Sequence, residues 1–145
     1  MGRLVLPCLV AAALLVPAAA PAQNQWQRTV RNQVGQHDAF LSERGYTMSG
    51  DVYDGSLKDD EFENLTITLL PGTSYAFMGV CDEDCHDIDL RLYDPDGDEV
   101  DSDVRVDDWP IVSVTPRFKG TYRLRVVMAS CSSNPCYYGI GVFTK

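Results

Sequence analysis

Residues 81–109 read CDEDCHDIDLRLYDPDGDEVDSDVRVDDW, and the alternation inside this stretch decides the fold class. Ile88, Leu90 and Leu92 alternate with Asp87, Asp89, Arg91 and Tyr93. A repeat of two places the apolar side chains on one face of an extended strand and the polar ones on the other. Asp94-Pro95-Asp96-Gly97 follows, with Asp first, Pro second and Gly fourth, the residues favoured at those positions of a type I turn. Beyond the turn, Val100, Val104 and Val106 are expected to continue the inward face, with Glu99, Asp101, Asp103 and Arg105 turned outward. Cys81 and Cys85 bracket a short acidic loop at the entrance to the first strand.

The same grammar extends in both directions. Toward the C-terminus, Ile111 to Thr115 reads as a strand, and Lys119-Gly120-Thr121 turns into the strongest one, where Tyr122, Leu124, Val126 and Met128 face inward. Tyr138, Ile140 and Val142 form a last inward row, with Gly139 and Gly141 opposite. Toward the N-terminus, Ser74 to Val80 and Phe62 to Leu70 are joined at Pro71-Gly72, a tight-turn pair. Tyr46 to Tyr53 is expected as the first strand, followed by an Asp54-Gly55-Ser56 turn. About eight short strands separated by turns predict an all-β, antiparallel, jelly-roll-like β-sandwich.

One helix precedes it. Trp26, Val30, Val34, His37 and Leu41 recur at spacings of three and four, which gathers them on one face. Gly45 stands where a helix C-terminal glycine belongs. The stripe must be buried against the β-domain or against a partner. Residues 1–22 carry Arg3, an apolar run from Leu4 to Val16 and Ala20-Pro21-Ala22, the pattern of a cleavable export signal of bacterial type. The run is short for a bilayer span of roughly 20 apolar residues, and no later stretch replaces it. Cleavage is expected after Ala22, and the domains are then 1–22 signal peptide, 23–45 helix and 46–145 sandwich.

Composition sets the compartment and excludes some partners. Twenty-one acidic residues face twelve basic ones, a net charge of −9 that becomes −10 once Arg3 leaves with the signal. Such a chain repels nucleic acid and anionic membrane surfaces and favours cations or basic partners. Cys81, Cys85, Cys131 and Cys136 remain after cleavage. Four cysteines in an exported chain read as disulfides, with three connectivities open on sequence alone. Cys81–Cys85 and Cys131–Cys136 are favoured because each pair flanks a short loop-like insert. Four zinc-ligating thiolates are disfavoured by gaps of three and four residues and by export.

The order Gly-Ser-Leu (55–57), Pro-Gly-Thr-Ser-Tyr (71–75), Asp-Ile-Asp-Leu-Arg-Leu-Tyr-Asp-Pro-Asp-Gly (87–97) and Lys-Gly-Thr-Tyr-Arg-Leu-Arg-Val (119–126) resembles the bacterial pre-peptidase C-terminal domain, over roughly Gly50 to Phe143. The resemblance implies a β-sandwich module of the kind found behind secreted proteases, some members of which bind calcium or assist binding to large substrates. This chain has no protease segment, and it adds a helix and two cysteine pairs.

Catalysis has little to work with. His37 lies on the apolar helix stripe, and His86 sits among Asp82, Asp84, Asp87 and Asp89. No serine stands in a nucleophile-elbow sequence to use either one, and a disulfide at Cys85 would remove the thiol beside His86. The chain is therefore read as a non-enzyme, with a hydrolase using His86 as a remote alternative. Asp82, Asp84, Asp87 and Asp89, with Glu83, are the candidate calcium ligands, since calcium takes six to eight oxygens. Asp94, Asp96 and Asp98 are better explained as turn formers. Trp109, Tyr137 and Tyr138 read as packing residues rather than a ligand surface, and Asn64-Leu65-Thr66 as an unused glycosylation match. The expectation is an exported, non-enzymatic binding or accessory module, calcium-stabilised, that engages an extracellular protein or polysaccharide. The alternative is an interaction protein that docks its helix on a partner without metal.

Overall fold

A computed structural model describes residues 25–50 and 52–145. The expected signal peptide and its cleavage after Ala22 lie outside the described residues. The described residues form α1 (Gln25–Ser42) and then nine strands: β1 (Thr47–Met48), β2 (Tyr53–Leu57), β3 (Phe62–Leu69), β4 (Tyr75–Cys81), β5 (Cys85–Tyr93), β6 (Glu99–Asp103), β7 (Ile111–Val114), β8 (Gly120–Cys131) and β9 (Cys136–Thr144). Every pairing is antiparallel. One sheet runs β1-β9-β4-β7 with β2 also on β9, and the other runs β3-β8-β5-β6. The expected sandwich is what forms.

The alternating rows meet between the sheets. Leu69, Phe77, Ile88, Leu90, Leu92, Leu124, Val126, Met128, Tyr138 and Ile140 are buried in one continuous core. A second core lies on the outer side of the β4/β9 sheet, where Val30, Val34 and Leu41 of α1 pack on Ala76, Met78, Val80 and Phe143. The helix stripe is thus consumed by the protein's own sheet, and the reading of α1 as a partner-docking helix is corrected. Burying three such side chains is worth about 1.5–3 kcal/mol each as an upper estimate. The seat for the helix is cut by glycine. A Cβ on Gly141 would stand 2.6 Å from Val34 Cγ1, and one on Gly139 would stand 3.3 Å from Val30 Cβ. Asp54 ties the helix from the side, pairing with Arg31 and accepting Gln27 Nε2 at 2.9 Å.

Three local expectations fail for identifiable reasons. The expected first strand is split into β1 and β2 around Gly50, whose φ of 84° ends the extended run. Asp54-Gly55-Ser56 is strand rather than turn, and Gly55 pairs with Tyr138 across β9. Its missing side chain makes room for that ring, since a Cβ there would meet the Tyr138 hydroxyl at 2.7 Å. In β6 the facing is reversed. The register shifts between Leu92, opposite Asp101, and Tyr93, opposite Glu99, which leaves Val100 as an extra residue. A bulge of this kind exchanges the two faces of a strand. Val100 is consequently exposed and Asp103 buried, while Val104 and Val106 lie beyond the end of β6 and are exposed too, the latter at 85 %.

That reversal gives the inward carboxylates a structural task. Asp103 Oδ2 accepts the Ile111 N–H at 3.0 Å and Asp101 Oδ2 accepts the Ser113 N–H at 2.7 Å. Both donors lie on the free edge of β7, because Gly79 bonds Pro110 and the odd–even pattern along β4 then turns Ile111 and Ser113 away from it. Side chains of one sheet therefore cap the edge of the other.

Candidate functional site

The disulfide-braced end of the sandwich was the sequence's main candidate. Cys81–Cys85 and Cys131–Cys136 are both formed, with Cα–Cα separations of 5.8 and 5.9 Å, as the favoured pairing expected. Cys85 lies opposite Cys131 in the β5/β8 ladder, so the two bridges are neighbours. Hydrogen bonds lock the loops they close. Ser132 N and Oγ both donate to Asp84 O, at 2.8 and 2.9 Å. The β2–β3 loop joins them: Asp59 N donates to Asn134 Oδ1 at 2.7 Å, and Asp59 Oδ1 accepts Cys131 N–H at 2.7 Å. The result is a pinned, acidic rim with Asp60, Glu61 and Glu83 exposed.

The proposed calcium ligands are not gathered at one point. Asp82 is buried and turned to β9, where its Oδ2 accepts the Tyr137 N–H at 2.9 Å. Burial pushes its carboxyl above the ordinary range, against the pull of that N–H donor. Asp84 is committed through its backbone to Ser132. Asp87 and Asp89 form a separate pair on β5. Burial raises both carboxyls, with Asp87 adding repulsion at Asp89 and Asp107 adding it at Asp87. Asp103 and Asp107 extend this acidic row toward Asp89. Arg105 answers it, donating Nε and Nη2 to Asp103 at 2.9 and 2.8 Å, and holds the Asp103 carboxyl below its ordinary range. Among the described residues no three His, Cys, Asp or Glu side chains are placed to hold a metal ion. Calcium binding therefore rests on the sequence expectation alone.

His37 and several aromatics are spent on packing. His37 stacks on Trp109 with ring centroids 4.9 Å apart, and Phe40 meets the same indole edge-on at 5.5 Å. Tyr137 stacks on Trp26 at 6.4 Å, and Tyr138 is buried in the main core. These rings fasten α1 to the sheet, as the packing reading expected. His86 is exposed, beside a cysteine already bonded to Cys81.

The opposite end of the sandwich holds a feature the sequence did not single out. The β5–β6 turn and the β7–β8 loop enclose a cavity of about 460 Å³, within the range of small-ligand and anchor-residue pockets. Val100, Val114, Pro116 and Tyr122 form apolar wall, and Asp94, Asp96, Arg117 and Lys119 form a charged rim. Phe118 stands beside it, 81 % exposed. The β5–β6 wall is tied down: Asp94 Oδ1 accepts the N–H groups of Asp96 and Asp98, both at 3.0 Å. Pro95 is seated on Gly120, where a Cβ would lie 2.4 Å from its Cγ. The available signal was Phe118 itself, an aromatic between Arg117 and Lys119 that belongs to no alternating row.

No family model matches the chain, and no curated protein matches it significantly. Among solved structures it is similar to Aeromonas hydrophila PliG, a periplasmic lysozyme inhibitor of g-type lysozyme. The TM-score is 0.51 at 10 % identity, over 70 % of this chain and 90 % of that one. A likeness at this identity shows a shared fold.

Proposed function

We propose that this protein is an exported, non-enzymatic module that binds a folded protein outside the cytoplasm, using the end of the sandwich built by the β5–β6 turn and the β7–β8 loop. The observation that carries the reading is Phe118, a large apolar side chain left 81 % exposed at a pocket with a charged rim. Interfaces concentrate their energy in a few aromatic anchors and pockets framed by polar groups. Two disulfides support an oxidising, extracytoplasmic setting. His37 is stacked on Trp109, and the cysteine next to His86 in sequence is bonded to Cys81, which supports a non-enzymatic reading. The fold shared with an inhibitor of g-type lysozyme, and the resemblance to pre-peptidase C-terminal domains, support a partner that is itself a secreted enzyme. The net charge of −9 favours a basic one.

Titration against g-type lysozyme and a panel of other secreted hydrolases, by surface plasmon resonance and by turnover, tests this. At least one should be bound and slowed at micromolar concentration or below, and Phe118→Ser should weaken that binding at least tenfold. Absence of binding across the panel, or equal binding by Phe118→Ser, removes the reading.

A further inference from the structure

We infer that β3 is a self-complementary edge through which two copies of this chain pair antiparallel, about a two-fold axis at Thr66. Met128 N–H donates to Glu61 O at 2.9 Å, and the β3/β8 register continues from there with Phe62 opposite Val127. In an antiparallel ladder the bonded pairs alternate, so odd-numbered residues of β3 bond β8. The N–H and C=O groups of Phe62, Asn64, Thr66 and Thr68 point to the free edge. The next even-numbered donor, Leu70 N–H, is capped by the Tyr75 hydroxyl at 3.2 Å. Along β3 itself no described residue supplies such a cap.

Two of the other edges are guarded. Asp101 and Asp103 cap β7, and β2 is short and held under α1 through Asp54. By contrast β3 runs for eight residues without proline, lysine or bulge, and of the usual protections of an edge it carries only the inward-facing, half-buried Glu63. Its inward Leu65 and Ile67 stay half-buried although they pack on the main core, because the flank of the sandwich is open there.

A second copy fits what is left uncovered. A two-fold at Thr66 sets Leu65 against Ile67, Asn64 against Thr68, and Glu63 against Leu69. It also sets Phe62 against Leu70, exposed by 53 % and 51 %. Each of these pairings occurs twice, so the four exposed apolar side chains cover one another. Glu63, the only charged residue of the strand, never meets its twin. In a chain of net charge −9, β3 is a strip along which two copies approach without like charges directly opposed. An isologous interface requires such self-complementarity.

Sedimentation of the purified chain from micromolar to hundreds of micromolar tests the pairing. The wild-type chain should reach a dimer mass. Thr66→Lys places like charges face to face at the axis while leaving an outward, exposed side chain in the monomer, and should raise the dimer dissociation constant at least tenfold. Leu70→Ser should also weaken the dimer. Amide exchange at Asn64, Thr66 and Thr68 should slow as concentration rises, while Ile111 and Ser113 stay unchanged. A wild-type chain that is monomeric throughout would overturn the inference and leave the edge for a foreign strand. A dimer that tolerates both substitutions, or that protects other amides, would also overturn it.

Discussion

Gly141 offers a direct test of how the helix is seated. Gly141→Ala places a methyl group 2.6 Å from Val34 Cγ1 and 2.8 Å from Phe143 Cε2. Both neighbours are fully buried, so neither is free to rotate away. Overpacking of this kind costs about 1–3 kcal/mol. For a domain of this size that is a fall in Tm of roughly 4–12 °C. Val34→Ala alone removes two buried methyls and is expected to cost about 2 kcal/mol, transfer and cavity together. Combined, the two changes should partly cancel, because the new methyl enters the space that Val34 Cγ1 vacates. The Phe143 contact remains, so rescue is incomplete, and the double variant should be about 1 kcal/mol more stable than the sum of the singles. Urea unfolding of the four proteins, followed by near-ultraviolet circular dichroism of the tryptophans, measures the coupling. Strict additivity would refute the seating of Val34 over Gly141, and with it the burial of the helix stripe on this sheet.

Asp103→Ala should destabilise the fold by about 1.5–3 kcal/mol, because it strands the Ile111 N–H and deprives Arg105 of its partner; a loss below 0.5 kcal/mol in chemical denaturation would contradict the capping. Burial raises the carboxyls of Glu63, Asp82, Asp87 and Asp89 in the folded state, so their charged forms cost stability at neutral pH and that cost is relieved as pH falls toward the ordinary carboxylate range. The depressed Asp103 acts in the opposite sense, contributing above its unfolded value and losing that contribution as pH falls through its folded one. Stability should therefore rise modestly from pH 7 to about 5 and fall below about 4, and Asp89→Asn should flatten the rise; a monotonic loss from pH 7 downward would count against it. Replacing Cys131 and Cys136 together by Ser should cost about 2 kcal/mol, the chain-entropy value for so short a loop, and should leave the sheet spectrum intact. The calcium expectation is checked by melting the chain in millimolar calcium and in chelator: a rise of several degrees in calcium would support it through linkage, and an unchanged melting curve would remove it.

Where side-chain polarity strictly alternated, the fold was legible. Tyr122 to Met128 and Ile88 to Leu92 face inward as their period required, and both disulfides join the cysteines nearest in sequence. Legibility failed where a backbone irregularity intervened. No residue around Val100 announces the bulge that exchanges the faces of β6, so the valines were expected inside and Asp103 outside. Gly55 carries the composition of a turn, yet its lack of a side chain serves the packing of Tyr138 from a distant strand. The helix stripe was plain, but its docking surface depended on Gly139 and Gly141, which alternation places on a face whose cover only the tertiary structure reveals. As for the candidate sites, the acidic residues drew notice through their number and turned out to be divided among caps, turns and a row near Arg105. Phe118 escaped notice because a single loop aromatic has no period.

Capping β7 with carboxylates from β6 has a consequence for how this family of shapes tolerates change. Ile111 to Val114 carries no edge-protecting residue of its own: Val112 is buried in the main core, Ile111 and Val114 are half-buried, and only Ser113 is exposed. The penalty for mutation is displaced to two aspartates some ten positions earlier, in the opposite layer. A scan of β7 alone would therefore register its core packing, and the fragility of that border would surface only when its distant guardians were replaced.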